Sequence, residues 1–567
     1  MFCPECGSKC CDDHIFCARC GTRLPAPAAK PSAPAPAVPS ATTKEEPRPA
    51  EGAIFTNLDA LARKLHTAPE TIRRLLEAYA EQALGHGIRY RLLDAGDYAW
   101  LNPEAKGSRE RLAPTKTWEE HIRLLADYYR YGRTTTREES CYLFIVGGDD
   151  VIPMPVLPQY VSAPDYSDTD IESDLPYAYL LGARTRELLR TAELFRYEQY
   201  FHVGRLPLAA DATAEDLAAY LHRAAQACGA MRIGRAYGQT DRTWLSASAS
   251  VCNPLRRDGL CTGGFRDERI YDRELFVSPC VERSVIDEVF DHEAGLYYFN
   301  LHGSDAPTAC SFYASYRQQC YEAITPRQLA AAERPNVVVT EACYGGKFRD
   351  YGRNETMLLA ALGGTTLLYL GSSRIAWGAS ESRTAGDLDN ADRLTHVYMD
   401  RLLAGDTAGE ALFRARRSFF DCNDGYFTPH QALTIVEFNL FGDPYLHLAG
   451  LAGDKAPHAA APLGTGPINA VAESKSLYGS AAPPSVLMQV RQAVDRNLER
   501  IRAEVDRTLY ARLGVEPRQL TAVTRMKYRN GEAFYAFDYA GRTGEVAWRH
   551  TATTDLDGNI KSIISTK

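Results

Sequence analysis

The sequence lacks a long apolar run, an apolar leader and an excess of basic residues. No stretch of about 18 consecutive apolar residues is present, so a membrane-spanning helix is not expected. The first residues show no charged segment followed by an apolar one, which argues against an export signal. The formal net charge is −8, whereas a nucleic-acid-binding protein is expected to carry a basic patch. We therefore expect a cytoplasmic protein that binds neither membranes nor nucleic acid.

The chain is long, and its cysteines are unevenly distributed. At 567 residues it exceeds what one hydrophobic core supports, and about two to four domains are expected. Six of its 15 cysteines lie in the first 20 residues, and the other nine are scattered. In a reducing compartment, clustered cysteines indicate a metal site and scattered ones are mostly buried thiols.

The cysteine cluster has the spacing of a zinc site. Two Cys-x-x-Cys pairs, each followed by a glycine, can supply the four thiolates that a structural zinc ion takes in a tetrahedron. Cys10, Cys11 and His14 lie between the pairs and are competing ligands, but the repeated pair favours the outer four. We predict a zinc ribbon over residues 1–24 with structural zinc as its cofactor. Its predicted ligands are Cys3, Cys6, Cys17 and Cys20.

Two segments rich in alanine, with proline or glycine, divide the remaining chain. Residues 25–53 and 449–475 cannot bury a core and are predicted linkers. Between them, apolar residues at spacings of three and four predict a helical packing subdomain over 54–139. Beyond them, a helix followed by alternating segments predicts a small α+β domain over 476–567. The zinc ribbon and this last domain are the expected docking modules for a protein partner.

The segment 140–448 alternates apolar strands with helices. This alternation predicts an α/β fold whose mostly parallel sheet is flanked by helices. In such a sheet, ligands bind at the carboxyl ends of the strands. The chemistry of this segment is therefore expected where its apolar runs end.

Two of these apolar runs end in a reactive residue. The strand predicted within Gly295–Ser304 ends at His302, and the strand within Pro335–Gly346 ends at Cys343. Adjacent strands lie about 4.8 Å apart, which brings an imidazole and a thiol within reach of each other. A cysteine nucleophile needs such a base, and Gly303 offers space for a substrate and an N–H for an oxyanion. Alone, each residue is better explained as a buried core residue; together they are predicted to be catalytic.

The ordered set of motifs over about residues 140–448 resembles the gingipain family of cysteine peptidases, in the caspase-like clan. The motifs are Val146-Gly147-Gly148-Asp149, Ser173-Asp174-Leu175-Pro176-Tyr177, Val203-Gly204-Arg205-Leu206-Pro207, Leu301-His302-Gly303-Ser304, Glu341-Ala342-Cys343-Tyr344-Gly345-Gly346 and Asn439-Leu440-Phe441-Gly442-Asp443-Pro444. The zinc ribbon, the linkers and the C-terminal domain lie outside this resemblance.

The resemblance implies a fold and a division of roles. It implies a caspase-like fold, Cys343 as nucleophile, His302 as general base, and the N–H groups of Gly303 and Cys343 as the oxyanion hole. It also suggests that Asp174 lines a pocket for a basic P1 side chain, with Trp377 at the pocket wall. Cleavage of protein or peptide substrates after arginine or lysine follows from that suggestion.

Two alternatives remain open at the level of sequence. One is a catalytically silent scaffold that keeps the fold and docks partners through the zinc ribbon; the paired His302 and Cys343 argue against it. The other is a zinc-ribbon protein that binds nucleic acid, which the acidic balance disfavours. No residue that orients His302 is evident from the sequence.

Overall fold

The computed structural model describes most of the chain from residue 49 onwards. The described residues are 49–96, 117–129, 141–158, 170–180, 194–196, 199–261, 275–278, 290–306, 310–316, 319–379, 385–422, 427–451, 496–527, 533–543 and 546–566. The predicted zinc ligands Cys3, Cys6, Cys17 and Cys20 lie outside these residues.

The strands of the described chain are β1 (Ala50–Thr56), β2 (Ile88–Asp94), β3 (Cys141–Val146), β4 (Val156–Pro158), β5 (Asp170–Glu172), β6 (Phe201–Leu206), β7 (Arg232–Ile233), β8 (Ala236–Asp241), β9 (Leu275–Ser278), β10 (Leu296–Asn300), β11 (Phe312–Tyr316), β12 (Gln319–Ile324), β13 (Asn336–Thr340), β14 (Thr366–Ser372), β15 (Trp377–Ala379), β16 (Phe438–Phe441), β17 (Gly450–Leu451), β18 (Leu520–Lys527), β19 (Ala533–Thr543), β20 (Val546–Asp555) and β21 (Ile560–Thr566).

Its α-helices are α1 (Leu58–Lys64), α2 (Pro69–Leu84), α3 (Trp118–Asp127), α4 (Leu175–Tyr179), α5 (Ala214–Ala227), α6 (Leu245–Val251), α7 (Asn253–Arg257), α8 (Pro326–Ala330), α9 (Met357–Gly363), α10 (Asn390–Leu403), α11 (Ala408–Cys422), α12 (Pro429–Glu437) and α13 (Arg496–Leu513). None of these helices is both long enough and apolar enough to cross a membrane.

One ten-stranded sheet organises the fold. Its order is β2-β1-β3-β6-β16-β14-β13-β10-β8-β9. Neighbouring strands are parallel except β14 and β16, which run antiparallel. Every residue of β3, β10 and β13 is buried, as expected when both faces of a parallel sheet are covered. The predicted α/β class, a mostly parallel sheet flanked by helices, is confirmed.

The N-terminal part of the described chain differs from the prediction. Instead of a helical subdomain over 54–139, this region adds β1 and β2 to the edge of the main sheet, and β1 begins inside the predicted linker 25–53. The sequence did not predict β1 as a strand because Gly52 interrupts its apolar pattern. A Cβ on Gly52 would lie 2.5 Å from the Tyr90 ring of β2, so the close approach of the two strands requires glycine.

The C-terminal domain is a second sheet packed on one helix. Strands β18 to β21 form an antiparallel sheet, and α13 packs on it through the buried residues Ile501, Val505 and Leu509. The sheet has a fifth strand from elsewhere in the chain, because β21 pairs with β15 in the order β15-β21-β20-β19-β18. This domain therefore contacts the domain of the main sheet through the pairing of β21 with β15.

Candidate active site

The two predicted catalytic residues follow adjacent parallel strands at the same level. Strands β10 and β13 are neighbours, and Phe299 pairs with Thr340. Three residues beyond that pair, the two segments reach His302 and Cys343. Because parallel strands end at the same edge of a sheet, this register brings the imidazole and the thiol to one place.

Gly303 lies directly against the backbone of the cysteine. A Cβ on Gly303 would lie 1.6 Å from the carbonyl oxygen of Cys343 and 3.3 Å from its backbone nitrogen. No side chain fits into this space, so glycine is required here for close approach and not for an unusual φ. The backbones of the two residues are therefore in direct contact, and an oxyanion hole formed by their amide groups stays a prediction.

The nucleophile stands on a tight turn. Tyr344 has φ 54°, in the left-handed region that a bulky residue rarely adopts. The turn is held by backbone hydrogen bonds in which the Tyr344 N–H donates to the carbonyl of Arg374 and the Gly346 N–H to that of Ser372. The Cys343 Sγ lies 3.6 Å from the carbonyl oxygen of Ala376. These contacts fix the sulfur between the end of β13 and the segment that leads into β15.

Two further elements hold His302. Its backbone exchanges two hydrogen bonds with Tyr313, each of 2.8 Å. Its ring meets the Trp244 ring edge-on, with 4.6 Å between the centroids. Burial lowers the pKa of His302, and the carboxylate of Asp241 partly opposes that effect. The imidazole is therefore neutral near pH 7 and can accept a proton.

Asp241 lies beside His302, a position that the sequence did not reveal. It ends β8, the neighbour of β10, and its Oδ2 lies 3.9 Å from Nε2 of His302. The same oxygen accepts from the backbone N–H of Ser315 at 2.5 Å and from its hydroxyl at 3.2 Å, and that hydroxyl lies 3.4 Å from Nε2. Asp241 and Ser315 thus face one ring nitrogen of His302, Nε2.

The structure places Asp174 in a buried ion pair. Both of its carboxylate oxygens accept from Arg205, at 2.9 and 2.7 Å, and Arg205 also donates to the carbonyls of Gly147 and Ile152. Arg205 is fully buried. This pair ties three of the quoted motifs into one structural cluster. Its carboxylate is already neutralised, so these contacts do not favour the predicted role of Asp174 in binding a substrate.

The backbone of Trp377 lies close to Cys343, and its side chain is buried. It is the first residue of β15 and follows Ala376, whose carbonyl contacts Cys343. Its ring is buried and packs on His430 with 4.5 Å between centroids. Its role in substrate binding stays a prediction.

A small cavity opens on the other side of Cys343. Lys347 lines it and donates to the carbonyl oxygens of Ser304 at 2.8 Å and Ala306 at 3.3 Å. Cys310 lines the same cavity. The lysine thus fixes the loop that follows His302 and Gly303.

Within the described residues, no group of three or more histidine, cysteine or acidic side chains is arranged to hold a metal. The described site contains a thiol, an imidazole and a carboxylate. A buried thiol beside a neutral, carboxylate-oriented imidazole is the arrangement of a cysteine peptidase.

Comparison with known proteins assigns the family. The model of peptidase family C25 matches residues 113–449, which is more than half of the chain, and the chain belongs to this family. The predicted resemblance to the gingipain family is confirmed at this level, and the protein is a cysteine peptidase. No curated protein matches.

Solved structures give more distant matches. One, described as "Structure of Protease", is 12% identical, covers 92% of this chain and 97% of its own, and has a TM-score of 0.44. A separase–securin complex from Saccharomyces cerevisiae is 11% identical and has a TM-score of 0.29. The match to that complex covers 59% of this chain but only 18% of the separase-complex chain.

Proposed function

We propose that the protein is an endopeptidase in which Cys343 is the nucleophile and His302 is the general base. The observation that carries this proposal is the register of β10 and β13, which ends both strands at one level and packs Gly303 on the backbone of Cys343.

The reaction follows from the position of each group. His302 accepts the thiol proton, and the thiolate attacks the scissile carbonyl carbon. The N–H groups of Gly303 and Cys343 stabilise the oxyanion. When the tetrahedral intermediate collapses, the imidazolium gives its proton to the leaving amine. A water molecule, deprotonated by His302, then hydrolyses the thioester and regenerates the thiol. Asp241 acts through His302 by orienting the ring and stabilising its charged form.

Cleavage after arginine or lysine is a finer proposal that rests on the family resemblance and on the position of Trp377, whose indole face can stack on a guanidinium. Asp174 does not contribute to it, since its charge is taken up by Arg205. An intracellular setting, a zinc ribbon formed by Cys3, Cys6, Cys17 and Cys20, and docking of a protein partner through that ribbon remain proposals from the sequence.

Digestion of a mixed peptide library, read by mass spectrometry, tests the proposal. Cleavage is expected to vanish in Cys343→Ala and in His302→Ala and to persist in Cys310→Ala, which removes a second thiol at the same cavity. Cleavage that persists in Cys343→Ala would refute the assignment. The residue before each cut defines the P1 preference directly. A library that stays intact in every variant, also after the predicted linkers are clipped, would favour the scaffold alternative.

A further inference from the structure

The strand β15 begins directly beside Cys343. The Cys343 Sγ lies 3.6 Å from the carbonyl of Ala376, and β15 begins at the next residue, Trp377. A polypeptide that presents its scissile carbonyl to Cys343 would run along β15 and pair with it as an added strand. Access to this edge therefore controls access to the site.

The protein's own β21 occupies that edge. Strand β21 pairs antiparallel with β15, with Ser565 opposite Gly378. On its other side, Gly378 forms an antiparallel bridge with Asn390. Both sides of Gly378 are thus paired, and a substrate strand could pair here only after β21 leaves.

Strand β21 runs along β15 in the direction that a bound substrate strand would take. Ile564 lies opposite Ala379, and Thr566 lies opposite Trp377, one residue from Ala376. The strand therefore runs toward the nucleophile in its N-to-C direction. An acyl donor has this polarity, because its residues N-terminal to the scissile carbonyl extend away from the attacking sulfur.

Side chains seal the contact. Ile564 packs against the core of the peptidase, whereas the preceding Ile563 packs into the core of the C-terminal domain. Ser565 and Thr566 are buried at 0% and 2% exposure. Two consecutive residues of β21 thus face two different cores, and the strand connects the two domains.

The C-terminal sheet also reaches the catalytic base. His550, opposite Ser565 in β20, accepts or donates a 2.7 Å hydrogen bond at Nδ1 with the Ser565 hydroxyl. Burial, together with a smaller effect of the nearby His302, lowers the pKa of His550 to about 3. With this sheet in place, Cys343 is only 4% exposed and His302 only 6%.

We propose that the C-terminal domain is an intramolecular inhibitor that docks β21 on β15 in place of a substrate strand and covers Cys343 and His302. This inference rests on the proposed peptidase function. Activation then requires release of β21 from β15, by a competing extended polypeptide or by a partner that binds the C-terminal domain.

The test measures the accessibility of Cys343 in the full chain, independently of catalysis. Iodoacetamide alkylation followed by peptide mapping gives the rate at Cys343 for the unaltered protein and for Ile564→Asp, which places a charge in the apolar contact between the two domains. We expect at least about tenfold faster alkylation in the variant, since loss of this contact favours the undocked state. Val523→Asp is the matched control, because Val523 is 38% exposed on β18 at the far edge of the same sheet.

An internal control reports whether the fold is intact. Cys141 is buried in β3 of the main sheet and is expected to stay unreactive in both variants. If Ile564→Asp also exposes Cys141, the chain has unfolded, and Ile564→Ala decides in its place. An unchanged rate at Cys343 in the deciding variant would overturn the proposal. So would a slower rate, since the domain would then complete the site instead of covering it.

Peptide hydrolysis separates this inference from the function on which it rests. Faster cleavage by the Ile564 variant supports both. Faster alkylation without any cleavage supports docking over Cys343 but contradicts the peptidase. Equal cleavage by the unaltered protein and the variant supports the peptidase and overturns inhibition.

Discussion

Substitution of Gly303 by alanine tests the geometry of the site with a single methyl group. The added Cβ would meet the carbonyl oxygen of Cys343 at 1.6 Å, far inside van der Waals contact. The obstructing atom belongs to the backbone, which cannot rotate away. Either the segment carrying His302 or the turn carrying Cys343 must therefore move, by an ångström or more.

The substitution is expected to affect both stability and catalysis. Overpacking of this kind costs about 1–3 kcal/mol of folding free energy. A displacement of about 1 Å between reacting groups lowers the rate by about 100-fold or more. We therefore expect Gly303→Ala to remain folded, with at least a 100-fold loss of kcat/KM.

The control is Gly295→Ala, which adds the same methyl group directly before β10. In Gly295→Ala the Cβ would lie 3.4 Å from the nearest atoms of Ile233, which is close to an ordinary contact. Steady-state hydrolysis of a library-derived peptide and urea unfolding are measured for both variants. The reasoning fails if Gly303→Ala keeps nearly full activity, or if Gly295→Ala loses as much.

Three other perturbations have defined outcomes. Asp241→Asn removes the charge that raises the pKa of His302, so we expect kcat to fall by about 100-fold or more and the acidic limb of the pH profile to move to lower pH; an unmoved limb would contradict the orienting role. Asp174→Asn leaves the buried Arg205 unpaired and is expected to cost about 3–5 kcal/mol in urea unfolding; unaltered stability with loss of cleavage after basic residues would instead restore the substrate role. The pKa of His550 is about 3 in the folded protein, below its unfolded value of about 6.5, so the stability from neutral burial is complete above pH 6.5 and falls by up to about 1.4 kcal/mol per pH unit below it. A melting temperature that does not fall between pH 7 and pH 5 would contradict this last expectation.

The position of His302 and Cys343 at the ends of two neighbouring strands was predictable because these strands have strong local signals. The runs that precede His302 and Cys343 are continuous apolar segments, and glycines follow both. A buried strand of a parallel sheet has this pattern, and the rule that sites lie at carboxyl ends then selects the two residues. Their adjacency needed only that β10 and β13 pair directly, which the sheet order shows.

Other features depended on contacts that no local pattern encodes. Strand β8 has the sequence Ala-Tyr-Gly-Gln-Thr-Asp, too polar to be recognised as buried, so Asp241 was not assigned to a strand end. The signal for Asp241 would have been an aspartate at the end of a strand that neighbours β10, the strand before His302. The family resemblance suggested Asp174 for substrate binding, and no local pattern indicates its ion pair with Arg205, 31 residues away.

The pairing of β15 with β21 is the most distant of these contacts. It joins a three-residue strand to residues almost 190 positions later, such as Trp377 and Thr566. The sequence predicted the C-terminal domain as a separate module. Neither strand has a sequence feature that predicts its pairing with the other.

Covalent labelling of the nucleophile tests the central claim most directly. The full chain and its Ile564→Asp variant are treated with a peptidyl acyloxymethyl ketone mixture, which alkylates a catalytic thiolate, and the modified residue is mapped by mass spectrometry. The account predicts a single adduct on Cys343 that forms faster in Ile564→Asp and is lost in His302→Ala. An adduct on Cys310, or labelling of Cys343 that does not depend on His302, would contradict it.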